Sequence, residues 1–115
     1  MKAGAQAEQT AAQFLQRQGL RLVQANYHCR FGEIDLILRD GATLVFAEVR
    51  LRSRSNFGGA AASIDARKQH KLILTAQHYL SRVSPTPPCR FDALLLADAA
   101  DAARIEWIKG AFELG

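Results

Sequence analysis

Hydrophobic and polar residues alternate most regularly in two stretches near the middle of the chain, residues 32–39 and 44–51. In the first, Ile34, Leu36 and Leu38 share one face, with Glu33, Asp35 and Ile37 on the other. In the second, Val45, Ala47, Val49 and Leu51 oppose Leu44, Phe46, Glu48 and Arg50. Period-two alternation on both sides of the turn signal Asp40-Gly41 predicts an antiparallel hairpin. With residues 40–43 as its loop, Arg39 faces Leu44, Asp35 faces Glu48 and Glu33 faces Arg50.

Helical spacing predicts two further elements. Over residues 4–18, Ala5, Glu8, Ala12 and Leu15 fall on one stripe beside Ala11 and Phe14, and Gly19 is placed to cap the end. Glu8 stands where an apolar residue belongs. A second, longer helix is predicted over residues 63–83, closed by Pro85, Pro87 and Pro88. Its apolar face carries Ile64, Leu72, Ala76, Tyr79, Leu80 and Val83, and Lys68 sits on that stripe midway between Ile64 and Leu72. Weaker patterns suggest strands at residues 20–26, 90–97 and, at an edge, 105–109. Residues 27–31 and 98–103 read as loops, and 53–62, around Gly58-Gly59, as a connection.

At 115 residues, 49% hydrophobic and 23% charged, the chain reads as one globular domain over residues 1–115. Its longest apolar run, residues 93–97, is too short for a transmembrane helix, so no membrane partner is expected. The first residues lack a signal-peptide apolar region, which makes the cytoplasm the expected compartment. Cys29 and Cys89 have no metal-binding spacing and read as buried free thiols. His28, His70 and His78 are too scattered for a metal cluster, and no Gly-rich phosphate motif occurs. Asp92 beside Arg90 reads as a structural ion pair, and Trp107 and Phe112 as core or as a homodimer contact.

The net charge of +4 is unevenly spread. Residues 50–71 hold Arg50, Arg52, Arg54, Arg67, Lys68 and Lys71 against Asp65, whereas residues 1–49 balance. A basic segment on a balanced domain suggests a polyanion, nucleic acid first; a solvated basic loop is the other reading. Asp35, Glu48 and Arg50 add chemistry. Two converging carboxylates beside a cation suit Mg²⁺ or Mn²⁺, which polarise a phosphate oxygen and acidify water. A cross-strand salt-bridge ladder is the alternative from spacing.

The run Gly32-Glu33-Ile34-Asp35-Leu36-Ile37, followed by Leu44 through Arg52, resembles the core of the bacterial YraN-like family. Phe57-Gly58-Gly59, Ser63-Ile64, Lys68 through Leu72, Cys89 through Asp92 and Glu106 through Lys109 continue the likeness over essentially the whole chain. So do Ala111-Phe112 and the N-terminal Glu8, Ala11 and Leu15. That family is similar to the restriction-endonuclease-like PD-(D/E)XK superfamily, especially Holliday-junction resolvases. The resemblance implies an α/β fold, a central mixed sheet flanked by helices, and a Mg²⁺ site at the hairpin. It implies Glu8, Asp35, Glu48 and the Val49 carbonyl as metal ligands. Arg50 occupies the usual motif-lysine position, and Lys68 could supply that ammonium from another element. Arg52, Arg54, Arg67 and Lys71 would track a DNA backbone. The implied function is metal-dependent cleavage of structured or branched DNA. Its rival is a non-catalytic nucleic-acid-binding or protein-interaction module, because arginine cannot lose its proton as lysine can.

Overall fold

The computed structural model describes residues 4–51 and 64–113. Its elements follow in the order α1 (Ala5–Arg17), β1 (Arg21–Cys29), β2 (Gly32–Asp40), β3 (Thr43–Leu51), α2 (Ala66–Leu80), β4 (Cys89–Leu96) and β5 (Ile105–Phe112). A short 3₁₀ turn, Ala102–Arg104, precedes β5. The strands form one five-stranded sheet in the order β1-β2-β3-β4-β5. β3 and β4 run parallel and the other neighbours antiparallel, so the sheet is mixed. None of the described helices is long and apolar enough to cross a membrane.

The helices cover opposite faces. Ala7, Ala11, Ala12 and Leu15 of α1 pack on Leu36, Leu38, Val45, Ala47, Val49, Leu94 and Leu96. Leu72 and Ala76 of α2, with Ile64 before it, pack on Ile37, Leu44, Phe46, Phe91 and Ala93. Burying both faces removes apolar area from water on each, at about 25 cal/mol per Å². It also explains why β3 and β4 are buried along most of their length on both faces.

Helix ends follow local chemistry. α1 stops at Gly19, whose φ of +97° is accessible to glycine, and the Leu20 N–H closes on the Leu15 carbonyl at 3.1 Å. α2 is shorter than the spacing predicts. Asp65 caps it by accepting from the Lys68 N–H at 2.8 Å. After Leu80 the chain tightens, with Arg82 N–H on Tyr79 O and Val83 N–H on Leu80 O.

The hairpin has the expected register from Asp40↔Thr43 through Arg39↔Leu44 to Leu36↔Ala47. Its connection is only Gly41-Ala42, with Gly41 at φ +60°. Three strand expectations need correction. β1 runs on to Cys29, where a loop was expected; as an exposed edge strand it has little alternation to reveal it. β5 likewise extends to Phe112. Ile34 does not share a face with Leu36 and Leu38: it packs in the α2 cluster, while they lie in the α1 cluster. The phase changes at Asp35. There β2 parts from β3, whose pairing with β4 continues to Leu51↔Leu96.

Candidate metal and phosphate site

The parting of β2 from β3 frees a backbone donor, and a side chain takes it. Val49 N–H donates to Asp35 Oδ2 at 2.8 Å. In an antiparallel ladder one residue's N–H and C=O point to the same neighbour, so the Val49 carbonyl is turned toward the same gap. Glu48 projects on the α2 side of β3, in phase with Leu44 and Phe46. Asp35 is 1% exposed and Glu48 3%.

Two cations meet Glu48 at one oxygen. Arg50 Nε lies 3.3 Å and Lys68 Nζ 3.2 Å from Glu48 Oε2. The Asp65 cap fixes the first turn of α2 and thereby the start of the lysine side chain. Burial is the largest influence on Glu48, followed by the Asp35 charge and a side-chain hydrogen bond to Asp35; together they push it from 4.5 up to about 7. Lys68 and Arg50 pull in the opposite direction without cancelling the rise. Near neutral pH the pair therefore still shares a proton, held on Glu48.

The structure thus brings together Asp35, Glu48, Val49, Arg50 and Lys68. It does not add Glu8 to them. Glu8 descends from α1, whereas Glu48 points to the face covered by α2, and no group of three or more acids, histidines or cysteines poised for a metal occurs among the described residues. Glu8 instead lines a cavity between α1 and the β1–β2 hairpin. Glu33, expected opposite Arg50, pairs across to His28 on β1, with 3.4 Å between His28 Nδ1 and Glu33 Oε2. Arg67 and Lys71 are exposed on the first turns of α2. Arg52, Arg54 and Gly58-Gly59 lie outside the described residues.

In donor chemistry the site fits a hard divalent cation. It presents buried carboxylate oxygens and a backbone carbonyl, the ligand class of Mg²⁺ and Mn²⁺. Sequence reading missed Asn26. It lies in the register slot opposite Asp35, between the pairs Ala25↔Leu36 and Tyr27↔Ile34, and has φ +55°. Non-glycine residues at positive φ are uncommon, with asparagine among the exceptions, so the residue type alone gave only a faint signal.

Residues 7–96 match the profile of the uncharacterised protein family UPF0102. A UPF0102 protein of Methylobacillus flagellatus is 58% identical, the match covering 95% of this chain and 95% of that protein. A UPF0102 protein of Nitrosomonas europaea is 57% identical over 96% of this chain and 92% of its own length.

Proposed function

The chain belongs to the uncharacterised protein family UPF0102, the YraN-like family, and we propose that it is a metal-dependent nuclease for structured or branched DNA on a restriction-endonuclease-like core. Membership states no reaction by itself. One observation carries the reading: Asp35 and Glu48 are buried side by side where β2 leaves β3, with two cations on Glu48.

Asp35, Glu48 and the Val49 carbonyl would hold Mg²⁺, or Mn²⁺ in its place. Such an ion would supply polarisation of a phosphate oxygen and acidification of the attacking water. The chain's own residues do the rest. Glu48 gives up its proton on loading, because the carboxylate is the ligand form. Arg50 grips a phosphate with two parallel N–H donors. Lys68 adds positive charge where negative charge grows on the phosphate. Arg67 and Lys71 follow the backbone along α2, and Arg52 and Arg54 extend the same role along the sequence.

The gathering of Lys68 and Arg50 on one Glu48 oxygen favours a second reading, a non-catalytic binding module whose charged cluster is structural. One experiment separates them. The purified protein is titrated with Mg²⁺ or Mn²⁺ against labelled junction, flap, duplex and single-stranded DNA. The nuclease reading expects metal-dependent cleavage of junction or flap, abolished in Asp35→Asn. Folded protein that binds DNA and cuts none of these structures establishes the binding module instead.

A further inference from the structure

The outer stripe of α2 runs on past Lys71. Arg67, Lys71 and His78 are spaced at i, i+4 and i+11, which brings all three to one side of the helix. From Lys71 to His78 the axis advances about 10 Å. There His78 meets the turn between β1 and β2, which is the two residues Arg30-Phe31, since Cys29 pairs with Gly32.

Two-residue hairpin turns favour Asn, Asp and Gly. This one carries a large aromatic side chain instead, and α2 supports it. The Phe31 ring makes an edge contact with His78, 6.2 Å between centroids. His78 Nδ1 is hydrogen-bonded to the Tyr27 hydroxyl, and Tyr27, buried in the sheet, packs edge-on to Tyr79 at 5.2 Å. A ring held in place from beneath lowers the ordering cost of stacking on it.

Phe31 is half-buried and Arg30 beside it is exposed. The Arg30 guanidinium carbon lies 4.8 Å from the centre of the Phe31 ring, within cation–π range. Aromatic rings and guanidinium planes are the surfaces on which unstacked bases lie, and the same guanidinium binds phosphate. A duplex keeps its bases stacked on one another, so the ligand that suits this turn is an unpaired base with its phosphate. Phe31 precedes Asp35 by four residues, which puts a base held there about 13 Å along the chain from the acid pair.

We propose that the Arg30-Phe31 turn stacks one unpaired base at a DNA branch point, at the far end of the phosphate track that Arg67 and Lys71 begin on α2. Phe31 supplies the stacking face and Arg30 takes the adjoining phosphate. The inference rests on the nucleic-acid reading above, since branched and flapped DNA presents bases outside the duplex stack.

The test is binding, not cleavage, in EDTA so that no metal takes part. Flap DNAs carry either a fluorescent adenine analogue or an abasic site at the first unpaired position; anisotropy reads affinity, and quenching of the analogue reads stacking. The parent should quench the analogue and bind its flap at least about fivefold tighter than the abasic one. Phe31→Leu keeps an apolar side chain against His78 but removes the stacking face. It should melt as cooperatively as the parent, lose the quenching and bring the preference below about twofold, while Phe31→Trp should restore both. Arg30→Gln should lower the log–log salt slope by about 0.9. Equal parent affinity for the two flaps overturns the inference and leaves DNA binding standing. Preference and quenching intact in a folded Phe31→Leu overturn the assignment to this turn, and an unchanged slope in Arg30→Gln overturns the phosphate contact. A parent that binds none of these DNAs overturns the nuclease reading and this inference together.

Discussion

Two buried acid clusters stand side by side in this sheet, and they are built in opposite ways. Asp92, on β4, is 0% exposed and fully occupied by donors. Arg90 grips it through Nε at 3.0 Å and Nη2 at 3.1 Å, Trp107 Nε1 donates at 3.0 Å and the Gly110 N–H at 3.0 Å. These contacts tie β4 to β5 where their register shifts, and Arg90 reaches on to Asp40 at 2.9 Å. Glu48, in contrast, faces another carboxylate, and burial and Asp35 raise it to about 7 despite two cations at hand. A buried acid whose donors outnumber its demands holds strands together. One set against a second acid holds its proton up to a higher pH, and its protonation state is open to change near neutrality.

The largest expected effect breaks the satisfied cluster. Asp92→Ala strands Trp107 Nε1 and the Gly110 N–H and removes the Arg90 fork. Stability should fall by about 3 kcal/mol or more in urea denaturation. A loss under about 1 kcal/mol would put Asp92 outside the structural class.

Glu48→Gln should act in the opposite direction. The folded protein holds the Glu48 proton to about pH 7, while the unfolded chain releases it near 4.5. The folded state therefore binds more protons between those values, and stability falls as pH rises through that window. Without metal, the parent should lose up to about 3 kcal/mol between pH 5 and pH 8 from this group. Glu48→Gln should lose much less and be the more stable of the two at pH 8. Denaturation curves at both pH values check this, and parallel losses would contradict the raised Glu48.

The two clusters were not equally legible in the sequence. β2 and β3 announced themselves by alternation around Asp40-Gly41, and their register placed Leu36 through Asp40 correctly. Lys68 stood out because a cation occupied an apolar stripe between Ile64 and Leu72, and the helix carries it to Glu48. The phase change at Asp35 left no such trace, since Ile34 and Leu36 are equally apolar and only the two helices reveal that they face apart. The Asp92 network was half visible. Arg90 is two residues away, but Trp107 and Gly110 come from another strand, brought in by a register shift that spacing does not encode. Glu8 was noticed for the right reason, as an acid among apolar residues. Its place beside Asp35 and Glu48 is an implication of the family resemblance, and among the described residues no group of three acids forms.

Smaller effects sharpen the functional half of the comparison. A general base in the role of Lys68 would make Lys68→Met lose about 10²–10⁴-fold in single-turnover cleavage. Lys68 acting only as positive charge beside Glu48 predicts roughly tenfold, with Arg50→Lys tolerated. At the surface, Arg67→Gln and Lys71→Gln should each lower the log–log salt slope of DNA binding by about 0.9. An unchanged slope would move the DNA track off α2.

The central claim is that the buried, facing carboxyl groups of Asp35 and Glu48 accept a divalent cation. The direct measurement is melting of the parent, Asp35→Asn and Asp92→Asn proteins at pH 8 across a Mg²⁺ and a Mn²⁺ titration. The parent should gain about 2.7 kcal/mol at a metal concentration a hundredfold above its Kd. Asp92→Asn, though less stable throughout, should gain the same increment, while Asp35→Asn should gain almost none. Equal gains in Asp35→Asn and the parent, or none in either, would contradict the claim.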